Sequence, residues 1–205
     1  HVQARGPGHH KVLCSCVHYF GENGDETGVG ITTDAAGNVY VTGRTTSTRG
    51  ALTAVNGVGG GADIFVAKSG AHLSTLLFST RIGGAGDEEG RGIAVDASGN
   101  IAVTGWTRSG NFPTQNAEDG TLGGTQDSVI FKLNASGGLV FTTYYGGNGA
   151  ADTGNGVAFD ASGILYVAGK NHDGLSNHAY VGKYETVGND EWTNELPGSG
   201  EGEAS

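Results

Sequence analysis

An all-β chain built from repeated four-stranded antiparallel blades is what this sequence predicts, and three observations carry the prediction. One decapeptide is written three times: Asp34–Gly43 reads DAAGNVYVTG, Asp96–Gly105 reads DASGNIAVTG and Asp160–Gly169 reads DASGILYVAG, with the aspartates 62 and 64 residues apart. A fixed period of this size marks stacked or radially arranged copies of one supersecondary unit, which bury their apolar faces on each other. The 40 glycines fall at fixed offsets between short β-branched and aromatic runs, so they read as turn residues rather than low complexity. No 3.6-residue apolar pattern is sustained, which excludes a helical solenoid. A parallel β-helix would need shorter coils than this repeat offers.

The second copy supplies the template. Its strands are expected at Gly92–Asp96, Ile101–Gly105, Ser128–Leu133 and Leu139–Tyr145. The first two are joined by Asp-Ala-Ser-Gly-Asn. In such a turn Asp accepts backbone amides two residues on, while Gly and Asn tolerate positive φ. Asn134-Ala-Ser-Gly137 joins the third and fourth strands by the same device. Third strands recur at Ile64–Lys68, Val129–Lys132 and Ala179–Lys183, and fourth strands at Leu76–Ile82, Leu139–Tyr145 and Glu191–Leu196. This alignment makes Phe78, Phe141 and Trp192 equivalent, and one period before Phe78 stands Cys16. Val12–Phe20 is therefore expected to be an extra fourth strand ahead of the first full copy.

Residues 1–11 then form an N-terminal extension and 12–205 one array, with repeats at about 21–82, 83–145 and 146–205. Short strands in fours, with turn signals at regular spacing, point to β-propeller blades. Long second-to-third-strand connections, Arg44–Ala62 and Trp106–Gln126, account for the length of the period; the third copy shortens this to about Lys170–Asn177. The register places Cys14 and Cys16 on one apolar strand face, level with Leu76 and Phe78, where free Cys behaves as a small hydrophobe. The alternative is a Cys-x-Cys metal or redox pair. The terminal His1, His9, His10 and His18 read as solvated, with copper or zinc binding as their alternative.

The balance of 21 acidic against 11 basic residues, a net charge of −10, makes nucleic acid or an anionic membrane surface an unfavourable partner. No apolar run approaches the length that spans a bilayer. Three copies and one strand fall short of a closed circle of about four to eight blades. The circle is thus incomplete in this chain, and the last residues align with Gly84–Arg91, where a further first strand would begin. Either further blades belong to the same protein, or copies associate into a ring or, where the association does not close, a filament.

In an up-and-down blade the fourth-to-first and second-to-third connections share one rim, where sites on rigid scaffolds concentrate. The fourth-to-first connections, Gly21–Gly30, Gly83–Gly92 and Gly146–Gly156, carry Asp25, Glu26, Asp87, Glu88, Glu89 and Asp152. Trp106 and Phe112 stand on the longest connection. These eight residues are the candidate ligand-binding set. Their oxygen ligands suit Ca²⁺, though no EF-hand or nonapeptide spacing is present, and no other cofactor is expected. Trp106 and Phe112 as platforms, with Asp and Asn hydrogen bonds, suit carbohydrate. The plainest reading is that the acids solvate the loops. Asp34, Asp96 and Asp160 read as turn caps rather than catalytic carboxylates. No Gly-x-Ser-x-Gly, Walker loop, zinc spacing or haem motif occurs, so no catalytic residue is assigned.

The stretch Gly83–Gly105 (GGAGDEEGRGIAVDASGNIAVTG), with Phe112-Pro113 and Phe131–Gly137 (FKLNASG), resembles the bacterial SBBP, or seven-bladed β-propeller, repeat. The third copy departs from it: Ile164 replaces the turn Asn, and the Phe-Pro segment is missing. The resemblance implies a secreted or cell-surface bacterial module without a shared catalytic motif. The expected function is accordingly a non-enzymatic scaffold for protein–protein interaction or self-assembly, its partners being itself or further blades. A lectin-like module and a propeller hydrolase or lyase are the alternatives.

Overall fold

Four turns of one design set the strand register. Asp34 Oδ1 accepts from the amides of Ala36 and Asn38 at 3.0 and 2.9 Å, and Asp96 Oδ1 from Ser98 and Asn100 at 2.8 and 2.9 Å. Asp160 Oδ1 does the same for Ser162 and Ile164, and Asn134 Oδ1 for Ser136 and Gly138. Each turn holds one glycine at positive φ, Gly37, Gly99, Gly163 and Gly137, between 80° and 85°. A side chain there would be strained, so the glycine is required.

The computed structural model describes residues 17, 19, 21, 23–48, 53–54, 59–147, 149, 151–184 and 190–196. Its strands are β1 (Glu26–Thr33), β2 (Val39–Thr45), β3 (Thr53–Ala54), β4 (Asp63–Ser69), β5 (Leu76–Ile82), β6 (Glu88–Val95) and β7 (Ile101–Thr107). They continue as β8 (Asp127–Leu133), β9 (Leu139–Tyr145), β10 (Thr153–Phe159), β11 (Leu165–His172), β12 (Asn177–Tyr184) and β13 (Asp190–Leu196). The described residues contain no helix. Three open sheets result, ordered β1-β2-β4-β5-β3, β6-β7-β8-β9 and β10-β11-β12-β13. These are the three expected blades, antiparallel throughout except for β3.

Two expectations need correcting. First strands begin earlier than predicted: β6 starts at Glu88, not Gly92, and β1 and β10 do likewise. Each contains a bulge at a Gly-x-Gly, between Gly28 and Gly30, Gly90 and Gly92, or Gly154 and Gly156. A bulge breaks the alternation that marks a strand but not the pairing, so half of each supposed fourth-to-first loop is strand. The first long connection also folds back: β3 pairs in parallel with β5 through Thr53↔Thr80 and Ala54↔Arg81. Its counterpart in the second blade makes an isolated bridge, Gln115↔Thr142. The extension 1–11, Cys14, Cys16, His1, His9, His10, His18 and the segment 197–205 lie outside the described residues. Of the strand expected over Val12–Phe20, only Val17 and Tyr19 are described, and both are exposed.

The core lies between blades. β6 packs across β1, β2 and β4, and β10 across β6, β7 and β8. One apolar cluster joins Tyr40, Ile64, Val66 and Ile82 of the first blade to Ile93, Val103, Val129 and Phe131 of the second. Another joins Ala102, Ile130 and Phe141 to Leu165, Val167, Tyr180 and Tyr184. Close approach needs glycine here: a Cβ on Gly90 would stand 2.2 Å from Thr42 Oγ1, and one on Gly154 1.8 Å from Thr104 Oγ1.

Candidate functional site

The acidic rim residues do not simply solvate loops. Glu88 is fully buried and accepts from Thr107 Oγ1 at 2.7 Å, Ser109 Oγ at 2.5 Å and the Gly84 amide at 2.9 Å. Glu26 repeats this knot in the first blade with Thr45 Oγ1 and Ser47 Oγ. Asp152, also fully buried, accepts from the amides of His172 and Gly147 at 2.6 and 3.1 Å. Asp87 accepts from the Ala62 amide across the blade junction, and Glu89 pairs with Arg91. Asp25 alone of the acidic set is exposed. These carboxylates fasten connections to strands, and burial is repaid by hydrogen bonds.

Two further acids join them that sequence reasoning missed. Asp63 Oδ1 and Glu88 Oε2 lie 2.0 and 2.7 Å from the point where a Cβ on Gly83 would stand. Asp152 Oδ2 and Asp127 Oδ1 surround the same point on Gly146 at 2.4 and 2.8 Å. Each blade junction thus holds a buried carboxylate pair. Desolvation, reinforced by the Glu88 charge and opposed by Arg81 at 3.7 Å, pushes Asp63 up to about 6. Burial raises Asp127 and Asp152 as well, against the amides they accept from. Among the described residues no group of three or more His, Cys, Asp or Glu side chains is placed to hold a metal ion.

Trp106 and Phe112 are 8 % and 3 % exposed. The Arg108 guanidinium covers the Trp106 ring at 5.0 Å. Phe112 packs edge-on against Tyr144 with centroids 6.3 Å apart. The Phe112 amide donates to the Tyr144 hydroxyl, which donates in turn to the Ser109 carbonyl. Neither ring offers the open face a sugar platform needs, because the long connection is folded onto its own blade.

The surfaces left open are the two outer faces of the array. In β6, Ile93 points at the first blade and is 8 % exposed; its counterpart in β1, Ile31, is 71 % exposed. Gly28 matches Gly90 and Gly154, yet among the described residues the only atom near its Cβ position is its own blade's Val41 Cγ1 at 3.4 Å. On the opposite face Tyr40, Thr42, Ile64 and Val66 are sealed by the second blade at 0 % exposure. Their third-blade counterparts Tyr166, Ala168, Ala179 and Val181 are half-buried or exposed.

A cleft of about 420 Å³ lies between the second and third blades, on the rim opposite the acidic connections. It is lined by the turns of Asp96 and Asp160, by Lys132 and by Phe159. Another of about 390 Å³ lies on the acidic rim between Arg44, Arg81, Asp63 and Asp87.

Residues 17–50 and 77–113 match the family model SBBP, a beta-propeller repeat. The second match runs from β5 into the long connection after β7, so the sequence unit takes the outer strand of one blade with the inner strands of the next. No curated protein matches the chain.

Proposed function

We propose that this propeller-repeat chain is a non-enzymatic scaffold, secreted or at a bacterial cell surface, that works by docking a second copy of itself blade to blade. The end faces carry this reading. The third blade's open face is the counterpart of the faces that β6 and β10 cover inside the chain, and β1 is the counterpart of those strands. Head-to-tail contact would therefore repeat an existing junction, with Ala168 over Gly28 where Thr42 meets Gly90 and Thr104 meets Gly154. Such heterologous contacts close into a ring or extend into a filament. Copies each carrying a charge of −10 repel, so association should strengthen with salt as that repulsion is screened.

Sedimentation velocity over a concentration series tests the proposal. The expected result is growth of species heavier than 20.7 kDa with concentration and with salt, abolished in Ile31→Glu. A monodisperse, folded monomer at every concentration would overturn it.

A further inference from the structure

We propose that the cleft between the second and third blades is a binding site for a neutral sugar ring, independent of whether copies assemble. The copies differ beside this cleft. In the first blade the Tyr40 ring lies under Lys68, 5.0 Å from its Nζ, and the Tyr40 hydroxyl donates to Asp34 Oδ2 at 3.0 Å. Lys68 stands 3.9 Å from the same oxygen. In the second blade Ala102 replaces the tyrosine. Without the ring, Lys132 lies instead over Phe159 of the third blade, Nζ 5.3 Å from the centroid. Ala102 itself is buried in the apolar cluster shared by the second and third blades and does not line the cleft.

The cleft is polar and furnished. Lys132 is only 6 % exposed and, among the described residues, has no carboxylate within ion-pair distance. Its stem is buried while its ammonium reaches the solvent of the cleft, as long cationic side chains commonly do. Across the cleft, Asp160 has an oxygen to spare for a related reason. Asn38 and Asn100 donate through Nδ2 to the second oxygens of Asp34 and Asp96 at 2.8 and 2.7 Å. Ile164 holds that position in the third turn and has no side-chain amide to give, so among the described residues Asp160 Oδ2 has no partner, and Asp160 lines the cleft. The two departures from the repeat thus place a free donor and a free acceptor in one cavity, beside the Phe159 ring.

The charges select the ligand class. Lys132 against Asp96 and Asp160 leaves the lining net negative, which disfavours a simple anion. An uncharged polyol fits the mixture, since each hydroxyl both accepts from an ammonium and donates to a carboxylate. The C–H face of a sugar ring would rest on the part of Phe159 that Lys132 leaves clear, and the volume lies in the range of small-molecule sites.

Isothermal titration of the full chain with glucose, galactose, mannose and N-acetylglucosamine tests the assignment, alongside Lys132→Met and Ile164→Asn. One of the four sugars is expected to bind the wild type. Loss of the ammonium should weaken it by about tenfold or more, as for a charge-assisted hydrogen bond. Ile164→Asn gives Asp160 the amide partner of the other two turns, so it should hold or raise the melting temperature while weakening the sugar. Binding of none of the four sugars, or equal affinity in the wild type and either variant, overturns the proposal.

Discussion

At the scale of single residues, the acids do more than their composition suggests. Asp63 sits beside Glu88 in a buried junction, and its carboxyl ionises only near pH 6, about two units above an ordinary aspartate. Between about pH 4 and 6 the folded chain holds a proton that the unfolded chain has released, so stability falls as pH rises through that window. Asp127 and Asp152 are raised too and act in the same sense. Asp173, which backbone amides of Ser176 and Leu175 and the His178 ring lower to about 2, and Asp34, lowered mainly by the Asn38 side chain, act oppositely, but only below about pH 4. The melting temperature should therefore be higher at pH 5 than at pH 7, at about 2–4 °C for each kcal/mol in a chain of this size. Glu88→Gln removes the neighbouring charge, so the gap between the two pH values should narrow. Calorimetric melts of both proteins at the two pH values decide it; a wild type that melts higher at pH 7 would refute a raised Asp63 carboxyl at this junction.

At the scale of elements, what could be read from the chain was what is local. The Asp-x-x-Gly turns, the four strands of each blade and their order follow from residues within a few positions of each other. The starts of β1, β6 and β10 do not, because the Gly-x-Gly bulge looks like a loop in one dimension and is held as strand by the next one along. Burial of Glu88 was equally hidden, since its partners Thr107 and Ser109 come 19 and 21 residues later. The Ile164 departure was visible, but its meaning depends on Lys132 reaching across from another sheet. The inner-strand glycines show the same dependence and yield a paired prediction. Gly154→Ala drives a Cβ into Thr104 and Ser128 and should cost about 1–3 kcal/mol, the usual range for overpacking. Among the described residues Gly28→Ala meets nothing closer than 3.4 Å, and it should leave the stability of the isolated chain within about 0.5 kcal/mol. Denaturant melts of the two variants compare them directly. If copies dock through β1, the silent variant is the one that weakens association.

At the scale of the whole molecule, the array is a one-dimensional stack, so its stability should be uneven in a specific way. A repeat is supported by its own sheet and by the faces of its neighbours. Among the described residues the second blade alone is covered on both sides: every residue of β7 and β8 is buried, while β2 and β11 carry half-buried or exposed positions throughout their length. Hydrogen exchange followed by mass spectrometry should therefore rank β7 and β8 as the slowest segments in dilute solution, with β2 and β11 opening earlier through sub-global fraying. Raising the concentration distinguishes the scaffold reading from an isolated stack. If a second copy covers the outer faces, protection at Ile31 in β1 and at Ala168 in β11 must rise together, because one junction uses both. Protection that stays graded from the middle blade outward, whatever the concentration, would mean that the exposed Ile31 and the vacant space over Gly28 serve no contact between copies.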